Sequence, residues 1–323
     1  MADAQAVCHP YSFCHRERKM DVKVQRVKGN WKRNLPLHLL LLVPVLLTII
    51  YKYIPMIGVI MAFENYMPVR GIFKSPWVGW RNFQFLFMMP GFTSAIFNTF
   101  IIAVGKIILG ILVPVCFSLM LNDLKSRSMK KYIQTIIYMP HFISWILMAG
   151  IINRILAPNG LLNQFITALG GQSKVFLADK TIFRPILWIT DIWKEFGYGT
   201  IVYLAAICSI DDSLYEAAMV DGAGAWQQLI HVTLPGLTPT IILMTVLSLG
   251  NVLNAGFDQV FNLYSPIVYE TGDIIDTFVY RLAFNSAQFS VSTAAGLFKS
   301  CISCVMIVAS YAISYRVSGY RVF

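Results

Sequence analysis

Charge is what this chain has least of. Asp, Glu, Lys and Arg make up 13% of its 323 residues, about half the share usual in a soluble domain. Acid is the scarcer sign, 16 Asp plus Glu against 26 Lys plus Arg, for a net charge of +10. With 57% of its residues hydrophobic, the chain cannot dress an ordinary water-facing surface. Also missing is a Gly-x4-Gly-Lys-Ser/Thr loop, whose backbone amides cradle the phosphates of a nucleotide. The nearest fragment, Gly296-Leu-Phe-Lys-Ser300, has the wrong spacing and lies in an apolar run, so the chain itself is not expected to hydrolyse ATP. Cysteines are few: Cys8, Cys14, Cys116, Cys208, Cys301 and Cys304. Two precede the first apolar run and the rest lie in or beside apolar runs, which argues against a disulfide framework. Cys301-x-x-Cys304 reads as small helix-packing residues. Residues 1–34 have no apolar core and so no secretory signal; Met20 before a basic run reads as a natural start, leaving 1–19 as a dispensable extension. No basic face with interleaved aromatics follows the tail, which argues against nucleic acid as a partner. No nucleophile with its base and no metal-ligand cluster is evident, so no catalytic residue is expected.

The apolar residues come in blocks close to the roughly 20 residues that cross a bilayer as a helix. Six spans are read, at 35–61, 92–121, 132–153, 183–209, 237–255 and 291–314. The blocks are too long for strands and lack a two-residue alternation, which excludes a barrel. The expected fold class is all-α: a polytopic membrane protein with a tail at 1–34, a membrane domain at 35–315 and a short end at 316–323. Lys and Arg concentrate in the tail (Arg16 to Arg33) and after span two (Lys125, Arg127, Lys130, Lys131), which places both segments in the cytoplasm. By span parity both termini and the 210–236 loop then lie there too.

That loop is the most structured polar segment. Asp211-Asp212-Ser213 caps a helix starting near Leu214, because short oxygen-bearing side chains satisfy free N–H groups. Gly222 permits a turn that a Cβ would resist. A second helix is expected over 225–232, with Pro235 and Pro239 framing the return into span five. Here a resemblance appears. Glu216-Ala-Ala-Met-Val-Asp-Gly-Ala223, followed by Leu-Pro235, resembles the EAA loop of permease subunits in bacterial ABC importers. Glu216, Ala217, Ala218, Asp221, Gly222, Ala223 and Pro235 match it; Leu229 and Val232 stand where Phe and Ile are usual. In that family the loop is a coupling helix that fits a groove on the ATPase. Ile54-Pro-Met-Ile-Gly-Val-Ile-Met-Ala-Phe-Glu-Asn-Tyr66 and Ser75-Pro-Trp-Val-Gly-Trp-Arg-Asn-Phe83 are similar to the sugar branch, and more narrowly to permeases for pectin or alginate oligosaccharides.

The resemblance implies a type I ABC importer permease fold with six transmembrane helices in the bacterial cytoplasmic (inner) membrane. It implies a heterodimer with a second permease, two ATP-binding subunits that hold the ATP and Mg, an external solute-binding protein and an oligosaccharide cargo. This chain would bind no cofactor of its own, and lipid would surround it. Permeases for other solutes share the loop; an ion-coupled transporter, relaying through Asp191, Lys194 and Glu195, would not need it.

Ionisable groups in a bilayer are costly and face a cavity or a partner. Span four carries Asp191, Lys194, Glu195 and Tyr198 on one helical face, with Lys194 able to pair with either carboxylate. Trp188 and Trp193 offer ring faces to a sugar. Ser248, Asn251, Asn254 and Asp258 form a second stripe at three- and four-residue spacing. The expected substrate path is Asp191, Trp193, Lys194, Glu195, Tyr198, Ser248, Asn251 and Asn254; a helix-to-helix polar lock is the rival reading for each stripe. Lys106 and Lys299 hint at a route suited to acidic sugars, Lys52 reads as a snorkelling residue, and His141 with Trp145 reads as a packing pair.

Overall fold

The computed structural model describes residues 31–318. Expectations about residues 1–30 and 319–323, the bulk of the basic tail included, lie outside it. The described residues are helical apart from connecting turns and one isolated β-bridge between Glu64 and Trp77.

The elements in order are α1 (Trp31–Thr48), α2 (Arg81–Met88), α3 (Phe92–Asn122), α4 (Arg127–Tyr138), α5 (Trp145–Leu156), α6 (Leu161–Ala168) and α7 (Phe183–Cys208). They continue with α8 (Asp212–Val220), α9 (Ala225–Gln228), α10 (Leu234–Gly250), α11 (Phe257–Leu263), α12 (Tyr269–Gly272), α13 (Ile275–Tyr280) and α14 (Phe289–Ser318). α1 does not stop at Thr48. It runs on through a wide π turn at Ile49–Tyr53 and a tighter 3-10 stretch at Ile54–Phe63. The change falls at Pro55, which has no N–H and whose ring crowds the carbonyl one turn back.

Among the described residues, five stretches are long and apolar enough to cross a membrane: His38–Phe63, Phe92–Asn122, Trp145–Ala168, Ala225–Gly250 and Phe289–Ala312. The sixth expected span, α7, is a helix of 26 residues. Arg184, Asp191, Lys194 and Glu195 keep it below that apolar standard. The expected single span at 132–153 is corrected. Residues there form α4, a 3-10 turn at Met139–Phe142 and α5. Pro140 ends the first helix, and Ser144 caps the next by accepting from the Leu147 N–H at 3.4 Å. The expected span at 237–255 is corrected as well: the helix begins upstream at Ala225 and ends at Gly250.

α3 and α7 form the central pair. Their close approach needs small residues: a Cβ on Gly105 would sit 2.3 Å from the Trp188 ring. Trp188 instead donates its indole N–H to the Ile102 carbonyl at 3.1 Å. Likewise a Cβ on Gly197 would meet the Ile137 carbonyl oxygen at 2.0 Å, so α4 lies against α7 backbone to backbone. The segment α11 to α13 caps the end of the bundle away from the 210–236 loop. There Asn98 on α3 donates to the Glu270 and Asp273 carbonyls and accepts from Arg184 at 2.7 Å. Asp273 takes Arg281 on both carboxylate oxygens, at 2.7 and 2.5 Å. α1 stands apart: none of the residues in its apolar window is buried.

Candidate functional site

Two polar places lie at opposite ends of one helical rod. The first is the loop between α7 and α10. Asp211 caps α8 by accepting from the Ser213 N–H at 2.9 Å. That bond and the Ser213 hydroxyl hold its carboxyl below the usual carboxylate range. α8 ends as the sequence suggests. Gly222 has φ +79°, the left-handed conformation that L side chains resist. Its N–H reaches the Met219 carbonyl at 3.1 Å, and the Ala223 N–H reaches Ala218 at 2.9 Å. With the Asp221 N–H on the Ala217 carbonyl at 3.0 Å, three of the four carbonyls at the end of α8 are thereby satisfied. Glu216, Ala217 and Asp221 are exposed, and Ala218 and Ala223 half-buried. Around them Leu214, Met219, Val220 and Trp226 are exposed, Val220 at 88% and Trp226 at 71%. An apolar rim set with two carboxylates is a surface shaped for contact.

The expected separate helix over 225–232 is corrected: α9 passes through a π turn at Leu229–Thr233 straight into α10. Pro235 lies in the first turn of α10, and the wide turn before it makes room for its ring. Tyr215 on α8 meets the Thr233 hydroxyl at 2.9 Å, which ties the loop to the foot of α10. The unbroken stretch Ala225–Gly250 has 26 residues, about 39 Å at 1.5 Å per residue.

The second place lies beside the other end of this rod. A cavity of about 410 Å³ is lined by Ala103, Lys106, Ile107, Gly110, Asp191, Met244, Leu247, Ser248, Asn251, Asn254 and Gly256. Ser248, Asn251, Asn254 and Asp191 are therefore brought together as expected. The reason differs from the helical stripe first read. The helix ends at Gly250, and Asn254 reaches the cavity on a turn that Gly256 (φ +89°) makes possible. Asp258, on α11 beyond that turn, is off the stripe.

The polar face of α7 divides in two. Asp191 pairs with Lys106 of α3 at 2.9 Å, not with Lys194. Lys106 also donates to the Ala255 carbonyl at 2.9 Å and to Gln259 Oε1. Gln259 Nε2 in turn donates to Thr190 and the Leu187 carbonyl, both at 2.8 Å. Lys194 is buried; it donates to Glu195 at 2.9 Å and to the His141 carbonyl at 2.8 Å, beneath the Trp145 ring. His141 completes this second group, 2.7 Å from Glu195 and stacked on Tyr198 at 4.3 Å. Its expected pairing with Trp145 is thus replaced by Glu195 and Tyr198. Trp193 points elsewhere. It lies two residues from Asp191, 40% exposed, because residues two apart on a helix do not share a face. Lys299 is held by Asp276 at 2.6 Å, and Lys52 is exposed. Cys301 and Cys304 are exposed on α14, and no cluster of metal-ligating side chains occurs among the described residues.

A helical membrane chain with a capped, exposed loop at one end of a rod and a polar cavity at the other fits an importer permease. Residues 106–319 match the family described as the binding-protein-dependent transport system inner membrane component, and the chain belongs to that family. It is 40% identical over 277 residues to Protein LplB of Bacillus subtilis (strain 168), covering 85% of this chain and 87% of the relative. It is 35% identical over 308 residues to the polygalacturonan/rhamnogalacturonan transport system permease protein YteP of the same organism, covering 95% and 94%. Among solved structures, a bacterial ABC transporter involved in the import of the acidic polysaccharide alginate superposes with a TM-score of 0.84. That match is at 38% identity and covers 91% of this chain and 100% of the other. The fold is thus the type I ABC permease fold, the chain is an ABC importer permease for oligosaccharides, and its place is the inner membrane.

Proposed function

We propose that this chain is one half of an ATP-driven importer that moves an acidic oligosaccharide across the cytoplasmic membrane by alternating access. The observation that carries the reading is the single helical rod Ala225–Gly250, whose foot belongs to the docking loop and whose far end meets the cavity. The helix continues through the π turn at Leu229–Thr233 and past Pro239, so movement of the loop is carried to the cavity wall. α8 sits in a groove of a partner ATPase, through the apolar rim of Leu214, Val220 and Trp226 and the carboxylates of Glu216 and Asp221. Two such partners hold ATP and Mg; this chain performs no chemistry. The loop and both termini face the cytoplasm, and a solute-binding protein docks on the opposite end of the bundle.

The cavity is half of the substrate path, completed by a second permease. Ser248, Asn251 and Asn254 offer hydrogen bonds to sugar hydroxyls from one wall. Glu195, Tyr198 and His141 are partly exposed at membrane depth, where contact with lipid is costly, so this face turns to the partner or the path. The acidic cargo is supported by the relatives, one named for polygalacturonan and one for alginate. The test is ATPase activity of the chain with its co-purifying subunits in nanodiscs, with and without saccharide-loaded binding protein. Stimulation by an acidic oligosaccharide is expected. If no ATPase co-purifies and uptake follows an ion gradient, the importer reading fails.

A further inference from the structure

The cation in the cavity lining already holds a carboxylate. Lys106 is 11% exposed and Asp191 is 22% exposed, and they meet at 2.9 Å on the cavity wall. The two sides of this pair are held very differently. Lys106 is fixed from behind by the Ala255 carbonyl and Gln259, and Gln259 is itself anchored to α7. Asp191 is held at one oxygen, with no second hydrogen bond or ion pair among the described residues. The contrast with Asp273, which binds Arg281 through both oxygens and accepts from Thr277 at 2.6 Å, shows what a permanent buried carboxylate looks like here. Other bundle cations are closed off: Lys194 by Glu195 and Trp145, Lys299 by both oxygens of Asp276.

We infer that Lys106 is the residue that reads the charge of the cargo, and that Asp191 is its resident stand-in, displaced by a uronate carboxylate in the loaded cavity. This rests on the acidic-oligosaccharide reading above. A firmly posted ammonium facing a loosely held carboxylate is suited to exchange: the cation stays and the anion is replaced. Ser248, Asn251 and Asn254 line the same cavity and serve the hydroxyls around that carboxyl. The empty cavity is neutral at this point, so a neutral sugar gains nothing from Lys106. Asp191 keeps the ammonium from standing unpaired at membrane depth, where a lone charge is costly. As a competitor it also weakens the hold on the cargo, so that the cargo leaves again.

The test uses the complete transporter in proteoliposomes and one matched pair of probes, oligogalacturonides and their methyl esters, which differ in charge at the same carbon. The unmodified complex is expected to prefer the acid by at least about tenfold in KM. Lys106→Met should abolish the preference, bringing KM for the acid to that of the ester, and the transport of ester that the variant retains certifies that it is folded. Asp191→Asn should lower KM for the acid several-fold with slower turnover, because the competitor is gone. If Lys106→Met and Asp191→Asn lose acid and ester alike, the pair is only a strut between α3 and α7 and the assignment is overturned. An unmodified complex that takes acid and ester equally overturns it too, while leaving oligosaccharide import intact. A complex that moves neither probe removes the cargo reading and the assignment together.

Discussion

Gly222 shows how much one residue can decide. Its φ of +79° is unfavourable for any L side chain by roughly 1–2 kcal/mol, and nothing lies within 4 Å of where a Cβ would be. The requirement is therefore one of backbone conformation and not of space. Gly222→Pro is expected to abolish transport and cargo-stimulated ATPase while membrane insertion proceeds, because proline cannot take a positive φ. Gly222→Ala should keep part of both. ATPase assays on the purified complexes, with insertion followed by membrane fractionation, check the pair. Asp211, at the other end of α8, adds a pH dependence. Its folded pKa is depressed, so its contribution is present above the unfolded carboxylate value and is lost as pH falls through the lower folded value. The first turn of α8 should fray in acid, seen as loss of hydrogen-exchange protection there, and Asp211→Asn should remove most of that pH dependence. Both residues were legible in the sequence, because caps and glycine turns are local devices. The Lys106–Asp191 and His141–Glu195 pairs were not, since each joins residues far apart in the chain. For Lys194 helical spacing offered two acids, Asp191 and Glu195, and the structure selects Glu195 because Lys106 of another helix takes Asp191.

Among elements, the rod from Ala225 to Gly250 is the one whose continuity matters. Thr245 lies in α10 and returns its hydroxyl to the Ile241 carbonyl at 2.7 Å. Thr245→Pro would remove a backbone bond and kink the rod at a cost of about 3 kcal/mol. The expected outcome is a complex that assembles and retains basal ATPase but no longer responds to loaded binding protein. Equal stimulation of variant and parent would mean that the rod transmits nothing. The limits of this rod were only half readable beforehand. Pro235 looks like a helix boundary in sequence, and the π turn that accommodates it has no periodic signature. Conversely, the apolar run around Pro140 looked like one span although proline and the Ser144 cap divide it. Long uninterrupted blocks such as α3, expected at 92–121 and found at Phe92–Asn122, were legible because length and composition alone identify them.

At the scale of the whole molecule, the surface fits the proposed pairing with a second permease. Glu195 and Tyr198 are partly exposed on α7, polar groups that none of the described residues fully covers. α1 carries the same message in another form, since none of its apolar window is covered by the rest of the chain. Its continuation Ile54–Phe63 packs on α14, while the part before it is left to lipid or to a partner. In the proposed heterodimer, assembly with the second permease is then the last step of folding. A cell making this subunit without its mate would hold a half-built object that quality-control proteases can recognise. Its lifetime after a synthesis block, followed by pulse-chase, should lengthen several-fold when the second permease is co-expressed. Equal lifetimes would mean that the free helix finds sufficient company in lipid. Supply of the scarcer subunit, rather than the rate of its own translation, would thus set how many transporters a cell displays.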